Sequence, residues 1–240
     1  MVRGVVFDFR DTLVDVNKAN QAVGRTLHQL LKSNLPNLSY AQFKRNFALA
    51  RHHTITQGPK LRIHNWTAVN LDNLLAYYKL KLKPNQRAAW LKKLDDAFVA
   101  ACRLYPEAGR ILSWLQSQNI KIGVTIDGTS YRENGIIKKL KLKPYFQAIV
   151  ISEKVGWNKF TWQPLAQTLH RLKLKPKDVI VIGDRPDKDI KWANHLGCLS
   201  VKIERQSGRY HSLTAKSRLE RPLYHIRSLT ELKGLILIST

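Results

Sequence analysis

The sequence predicts an α/β fold, a doubly wound parallel sheet with a block of four helices inserted after its first strand. Three observations predict it. Short apolar runs alternate with amphipathic stretches through residues 103–240. Residues 16–102 break that alternation and show helical periodicity alone. The residues able to do chemistry stand just after the apolar runs, at the strand ends where open parallel sheets bind their ligands.

Val5-Val6-Phe7 opens the pattern as a β-branched and aromatic run ending in Asp8. Comparable runs follow at Ile120–Ile126, Ala148–Ile151, Val179–Ile182 and Leu199–Val201, each short enough to be a buried strand. The intervening helices are predicted over Glu107–Ser117 behind Pro106, over Tyr131–Leu140, over Trp162–Leu172, and over Asp187–Leu196 closed by Gly197. In the inserted block Ala19, Ala22, Val23, Thr26, Leu27, Leu30 and Leu31 keep the spacing of one buried helical face. Ser39 with Gln42 makes a capping box for a second helix, and a third runs over His64–Lys79. Pro84 opens a fourth, with Leu91, Leu94, Phe98 and Cys102 inward. The expected domains are a core of 1–15 plus 103–240 and a small helical cap of 16–102. Leu-Lys-Leu-Lys-Pro recurs at 80–84, 140–144 and 172–176 with unequal spacing, which reads as helix-exit chemistry rather than a repeat. Ser228 with Glu231 caps a short final helix.

Among 240 residues, 41 Lys and Arg face 17 Asp and Glu, a formal charge of +24. With 44% hydrophobic residues the chain can still bury a core, so it is a folded protein with a basic surface rather than a disordered tail. Cys102 and Cys198 stand too far apart in sequence for a disulfide framework or a cysteine metal cluster, which suits a reducing cytoplasmic setting. Asp8 interrupts the N-terminal apolar run before a signal-peptide core forms, and nothing approaches the run of about 20 apolar residues that spans a membrane. No membrane partner is expected.

Four features fall at predicted strand ends: Asp8; the Thr125–Gly128 turn; Lys159; and Gly183-Asp184 with Asp189. In order and spacing they resemble the haloacid dehalogenase-like (HAD) superfamily, in the subgroup with a helical cap between the first and second motifs. Phe7 to Asp15 is similar to the first motif, Val155-Gly156-Trp157-Asn158-Lys159 to the third, and Gly183 to Asp189 to the fourth. The resemblance spans nearly the whole chain and implies a Rossmann-like core. It implies Asp8 as the nucleophile of a Mg²⁺-dependent phosphohydrolase working through an aspartyl-phosphate. It also implies Mg²⁺ held by Asp8, the Arg10 backbone carbonyl and Asp184, with Asp189 orienting metal-bound water or Lys159. The physics agrees. A carboxylate attacks phosphorus when a divalent cation neutralises both anions, Mg²⁺ favours oxygen ligands, and Lys159 would screen the phosphoryl charge.

The sequence departs from that pattern at Arg10, Ile126 and Phe160. Family phosphatases carry at position 10 an aspartate that serves as general acid and base, and a guanidinium stays protonated, so Arg10 cannot shuttle a proton. Losing such catalysis typically costs about 10²- to 10⁴-fold. Asp11 stands one residue away, where an extended segment would turn its side chain to the other face. Arg10 could instead bind phosphate. Ile126 falls on the phosphate-binding Ser/Thr position with Thr125 beside it, Asp127 replaces a common Asn, and Phe160 replaces a frequent Pro. The expected substrate contacts are therefore Thr125, Asp127, Lys159 and Arg10.

Residues 16–94 hold 14 Lys and Arg and a single acid, Asp72. Such a field attracts polyanions. Tyr40, Phe43, Phe47, Trp66, Tyr77, Tyr78 and Trp90 lie among the charges, with His52, His53 and His64 near Arg51, Lys60 and Arg62. Basic groups mixed with stacking rings suit single-stranded nucleic acid; equally, the rings could be helical core and the lysines solvated. Two functions follow. One is a slow or atypical phosphohydrolase acting on a phosphorylated small molecule. The other is a catalytically impaired relative that binds nucleic acid or another polyanion. A carbon–halogen hydrolase would share the missing second aspartate but would not require the Asp184 and Asp189 arrangement.

Overall fold

β1 (Gly4–Asp8) lies inside a parallel sheet, and Val5, Val6 and Phe7 are each no more than 1% exposed, as a strand covered on both faces requires. The computed structural model describes residues 1–57, 63–206 and 208–238, and the chain divides into two compact units, Met1–Asn17 with Arg103–Thr240 and Lys18–Cys102. The first unit is built on β1 with β4 (Lys121–Ile126), β5 (Ala148–Ile151), β6 (Val179–Gly183), β7 (Leu199–Ile203) and β8 (Tyr224–Ile226). They form one six-stranded sheet of order β5-β4-β1-β6-β7-β8, parallel throughout. The chain steps from β1 to β4 and β5 on one side and then returns to β6 on the other. β1 is therefore the switch point at which a crevice opens beyond the strand ends. Asp8 pairs with Thr125 and Phe7 with Ile182, which brings three strand ends level.

The five expected strands are present within two residues at their ends. β8 was not legible, because at the sheet edge only Ile226 of its three residues is buried. A two-residue ribbon, β2 (Val14–Asp15) with β3 (Arg103–Leu104), was also too short for periodicity to show. It begins and ends the excursion through the second unit.

Helices α5 (Ala108–Ser117), α6 (Ser130–Lys139), α7 (Ser152–Val155), α8 (Gln163–Leu172), α9 (Lys191–Leu196) and α10 (Leu232–Ile238) complete the first unit, numbered after the four helices of the second unit. α8 places Leu165, Leu169 and Leu172 against Val6, Val179 and Val181. The expected helix over 187–196 divides. Pro186–Ile190 form a wide π turn, in which the Asp189 and Ile190 amides both donate to the Arg185 carbonyl, and only then does α9 begin, ending on Gly197 at φ 81°. Wide turns of this kind recur at functional sites. The repeated Leu-Lys-Leu-Lys-Pro acts at helix ends: Lys141 and Lys173 adopt left-handed φ of 54° and 55°, and the prolines that follow open one-turn 3₁₀ segments.

The second unit holds α1 (Asn17–Lys32), α2 (Tyr40–Gln57), α3 (Trp66–Tyr77) and α4 (Pro84–Ala101). Leu27, Leu31, Phe43, Leu71, Leu74 and Leu94 form its centre. Asn65, rather than His64, caps α3, its side chain accepting from the Ala68 amide at 2.9 Å. Of the aromatic residues among the charges, Phe43 and Trp90 are buried and Tyr78 is partly buried, accepting a hydrogen bond from Asn46. Tyr40 and Tyr77 are exposed. Lys60 and Arg62 lie outside the described residues. Among the described residues no helix is long and apolar enough to cross a membrane. Cys102 and Cys198 are buried thiols, and burial pushes Cys198 up to about 12.

Arg205, two residues past β7, ties the loop after β1 to the rest of the first unit. Its guanidinium donates to Glu107 Oε1 at 2.5 Å and to the Thr12 carbonyl at 2.9 Å, over the Tyr105 ring. Removing one partner of a buried ion pair leaves the other charge uncompensated, so Arg205→Ala is expected to lose ~3–5 kcal/mol in urea unfolding. Arg205→Met with Glu107→Gln, which removes both charges, is expected to recover most of that loss. A single-variant loss within about 0.5 kcal/mol, the range of ordinary surface changes, would contradict the strut.

Candidate active site

Asp8 ends β1, and its side chain is 13% exposed. The Thr12 hydroxyl donates to Asp8 Oδ2 at 3.0 Å, and the Lys159 ammonium donates to Asp8 Oδ1 and pairs with Asp189 Oδ1. The backbone holds Lys159 there. α7 ends on Gly156 at a left-handed φ of 73°, the Lys159 amide donates to Asp127 Oδ1 at 2.7 Å, and the Trp192 indole donates to the Lys159 carbonyl at 3.1 Å. Burial alone would lower the lysine, but Asp189, Asp8 and Asp127 outweigh it and hold Lys159 above the ordinary lysine range.

Asp184 follows Gly183, the last residue of β6. Its side chain is buried, and its Oδ2 has no hydrogen-bond partner. Among the described residues Asp8, Asp184 and Asp189 bring carboxylate oxygens within 4.8 Å of one another. Burial, then Asp8 and Asp189, raise Asp184 well above its ordinary value, and burial raises Asp189 to about 6 against the pull of Lys159. An orphaned buried oxygen among crowded carboxylates is a donor set that fits a hard divalent cation such as Mg²⁺.

Asp11 does not follow the alternation of an extended strand. It sits in a turn at φ 60°, a left-handed conformation that aspartate tolerates, and is 5% exposed. Burial and then the Asp8 charge raise it to about 6. The alternation rule that turned it away assumed strand geometry, and the strand stops at Asp8.

Around this centre lie further groups, some expected and some not. Lys188 donates to Asp127 Oδ2 at 2.6 Å and lies 4.0 Å from the Phe160 ring centroid. Burial works against the Asp127 charge, but Lys188 and Lys159 prevail and hold it below the usual carboxylate range. The Arg10 guanidinium donates to the Asp127 carbonyl and stands 3.0 Å from Glu133 Oε1, whose side chain is fully buried. Thr125 is buried beside Thr168, their hydroxyl oxygens 3.0 Å apart; Thr168 gives its proton to the Pro164 carbonyl, so Thr125 is the donor between them. The hydroxyl expected to bind substrate is thus engaged with α8, and Ile126 is buried at 1% exposure. Thr12, four residues after Asp8, could have been found as a hydroxyl within a turn of that carboxylate. Glu133 offered no spacing signal, and Lys188, inside the fourth motif-like segment, was given no role.

Three comparisons with known proteins bear on the family. A glyceraldehyde 3-phosphate phosphatase from Methanopyrus kandleri is 26% identical over 238 residues, covering 98% of this chain and 97% of its own. A ribulose-1,5-bisphosphate 5-phosphatase from Halopiger xanaduensis is 25% identical over 214 residues, with 85% of each chain covered. The crystal structure of a HAD phosphatase from Thermococcus onnurineus superposes with a TM-score of 0.70 at 20% identity, over 98% of both chains. The family model for haloacid dehalogenase-like hydrolases matches residues 5–203, from β1 through β7, and the chain belongs to that family.

Proposed function

We propose that the protein is a divalent-cation-dependent phosphohydrolase acting on a small phosphorylated metabolite through Asp8. The observation that carries this reading is the convergence of Asp8, Lys159, Asp184 and Asp189 at the switch point of the sheet. The named activities of the relatives, both on phosphorylated small molecules, support it. In the proposed reaction an Asp8 carboxylate oxygen attacks phosphorus while the bond from phosphorus to the substrate oxygen breaks. The departing alkoxide takes a proton from solvent. Water then attacks the phosphorus of the aspartyl-phosphate, releasing inorganic phosphate and restoring the Asp8 carboxylate. Lys159 steadies the phosphoryl oxygens and holds Asp8 in line, and Thr12 fixes the other carboxylate oxygen. Asp8, Asp184 and the Arg10 carbonyl would hold Mg²⁺, which supplies charge neutralisation between attacker and phosphate. The helical unit would act as the cap that selects the substrate.

The charge of the helical unit favours a second, weaker reading, retention of polyanions. Because Phe43 and Trp90 are buried, that binding would rest mainly on charge rather than on base stacking, with a steep salt dependence.

Two outcomes test the first reading. Nothing at position 10 can protonate a leaving group, so aryl phosphates are expected to turn over about 10²-fold or more faster than alkyl phosphates. Equal rates on the two classes would show that protonation of the leaving group is supplied after all. The second concerns pH. Asp11 and Asp189 rise from 3.8 to about 6 on folding, so they are neutral in both states below about pH 4. Above about pH 6 the folded protein bears charges that the unfolded chain carries without strain, and stability falls across that window. A cation relieves the penalty. Millimolar Mg²⁺ is therefore expected to raise Tm more at about pH 7 than at about pH 5, and Asp184→Ala to abolish the rise. An unchanged Tm in the wild type would count against the metal site.

A further inference from the structure

Position 10 lies two residues beyond the nucleophile, so the orientation of its side chain decides what stands opposite a bound phosphate. The Arg10 guanidinium is not loose: the same nitrogen, Nη2, donates to the Asp127 carbonyl and lies 3.0 Å from Glu133 Oε1. Glu133 sits in the first turn of α6, its side chain without solvent exposure, and a Cβ at Gly128 would collide with its carboxylate. Glu133 therefore abuts the turn that carries Asp127, and Asp127 in turn holds the Lys159 amide beside Asp8. Arg10, Glu133, Asp127, Lys159 and Asp8 make one connected chain of contacts. A buried carboxylate needs a cation partner, and a guanidinium tethered at Nη2 by a carbonyl and an ion pair still carries the planar donor fork that suits an anion.

We propose that Glu133 is a positioning residue that fixes Arg10 as a phosphate-binding cation, so that this site holds its substrate by a paired charge where a proton shuttle would otherwise stand. This deepens the phosphohydrolase reading and rests on it. Arg10 and Glu133 then act as a unit, and changing either alone weakens phosphate binding. In particular, Arg10→Asp alone would face the Glu133 carboxylate, a like-charge contact that opposes a working acid at position 10. Arg10→Asp with Glu133→Gln would remove the conflict.

The test is calorimetric titration with inorganic phosphate at saturating Mg²⁺, beside steady-state kinetics on p-nitrophenyl phosphate. Glu133→Gln is expected to weaken phosphate binding by about tenfold, the effect of one charge-assisted hydrogen bond, and to raise KM similarly with kcat within about twofold. Arg10→Ala is expected to weaken binding at least as much, and the double variant no more than Arg10→Ala, because the two residues share one interaction. Glu133→Asp keeps the charge at shorter reach and should fall between, which supplies the reading if Glu133→Gln does not fold. Arg10→Lys, with a point charge in place of the fork, should also fall between. A folded Glu133→Gln or Glu133→Asp with wild-type phosphate affinity and KM would overturn the inference and leave the hydrolase reading standing. A wild type that neither binds phosphate nor turns over the aryl ester would overturn both.

Discussion

Lys159 places one buried ammonium between two carboxylates, Asp8 and Asp189, and the rest of the site is arranged around that contact. Asp8, Asp11, Asp127, Glu133, Asp184 and Asp189 are gathered near the carboxyl ends of β1, β4 and β6, and in a medium that screens poorly their repulsion is costly. Lys159, Lys188 and Arg10 offset part of it by direct pairing. Asp11 and Asp184 keep raised proton affinities. That excess of carboxylates fits the oxygen donor set a hard cation takes, and it holds Lys159 above the ordinary lysine range.

The same logic accounts for the departures from the family pattern. Arg10 replaces an acid, but its cation is matched by the buried Glu133, so local charge is exchanged rather than simply lost. Asp127 stands where an uncharged amide is common and is answered by Lys188. Ile126, where the family pattern has a hydroxyl, is buried, which leaves no polar group there to satisfy. Each change has a neighbour that makes it tolerable for folding. The substituted positions therefore sit on an intact scaffold, matched to the family over residues 5–203.

The excess of basic residues has a separate origin from the site. The basic residues of the helical unit are largely on its surface, and its large apolar and aromatic residues supply a core of their own. A positive surface raises the local concentration of phosphorylated anions of any kind, which suits a small phosphoester as well as it suits a polymer.

Much of this was legible in the sequence because it depends on local rules. Hydrophobic runs identify strands that are covered on both faces, so the five long strands could be read, while edge strand β8 and the β2–β3 ribbon bury too little to leave a pattern. Caps and prolines marked α2, α4 and the final turn because those signals act within three or four residues. The motifs named Asp8, Lys159, Asp184 and Asp189: Asp8 ends β1, Asp184 follows β6, and Lys159 and Asp189 reach them from the segments beyond β5 and β6. What the sequence by itself determined is the parallel core, the helical insertion and the acidic centre. Only the tertiary structure decided that Thr125 pairs with Thr168, that Asp11 is buried on a left-handed turn, and that Arg10 forms an ion pair with Glu133. Those outcomes depend on which side chains meet across 43 or more positions of chain, or on one backbone dihedral past the end of a strand, and neither leaves a periodic trace.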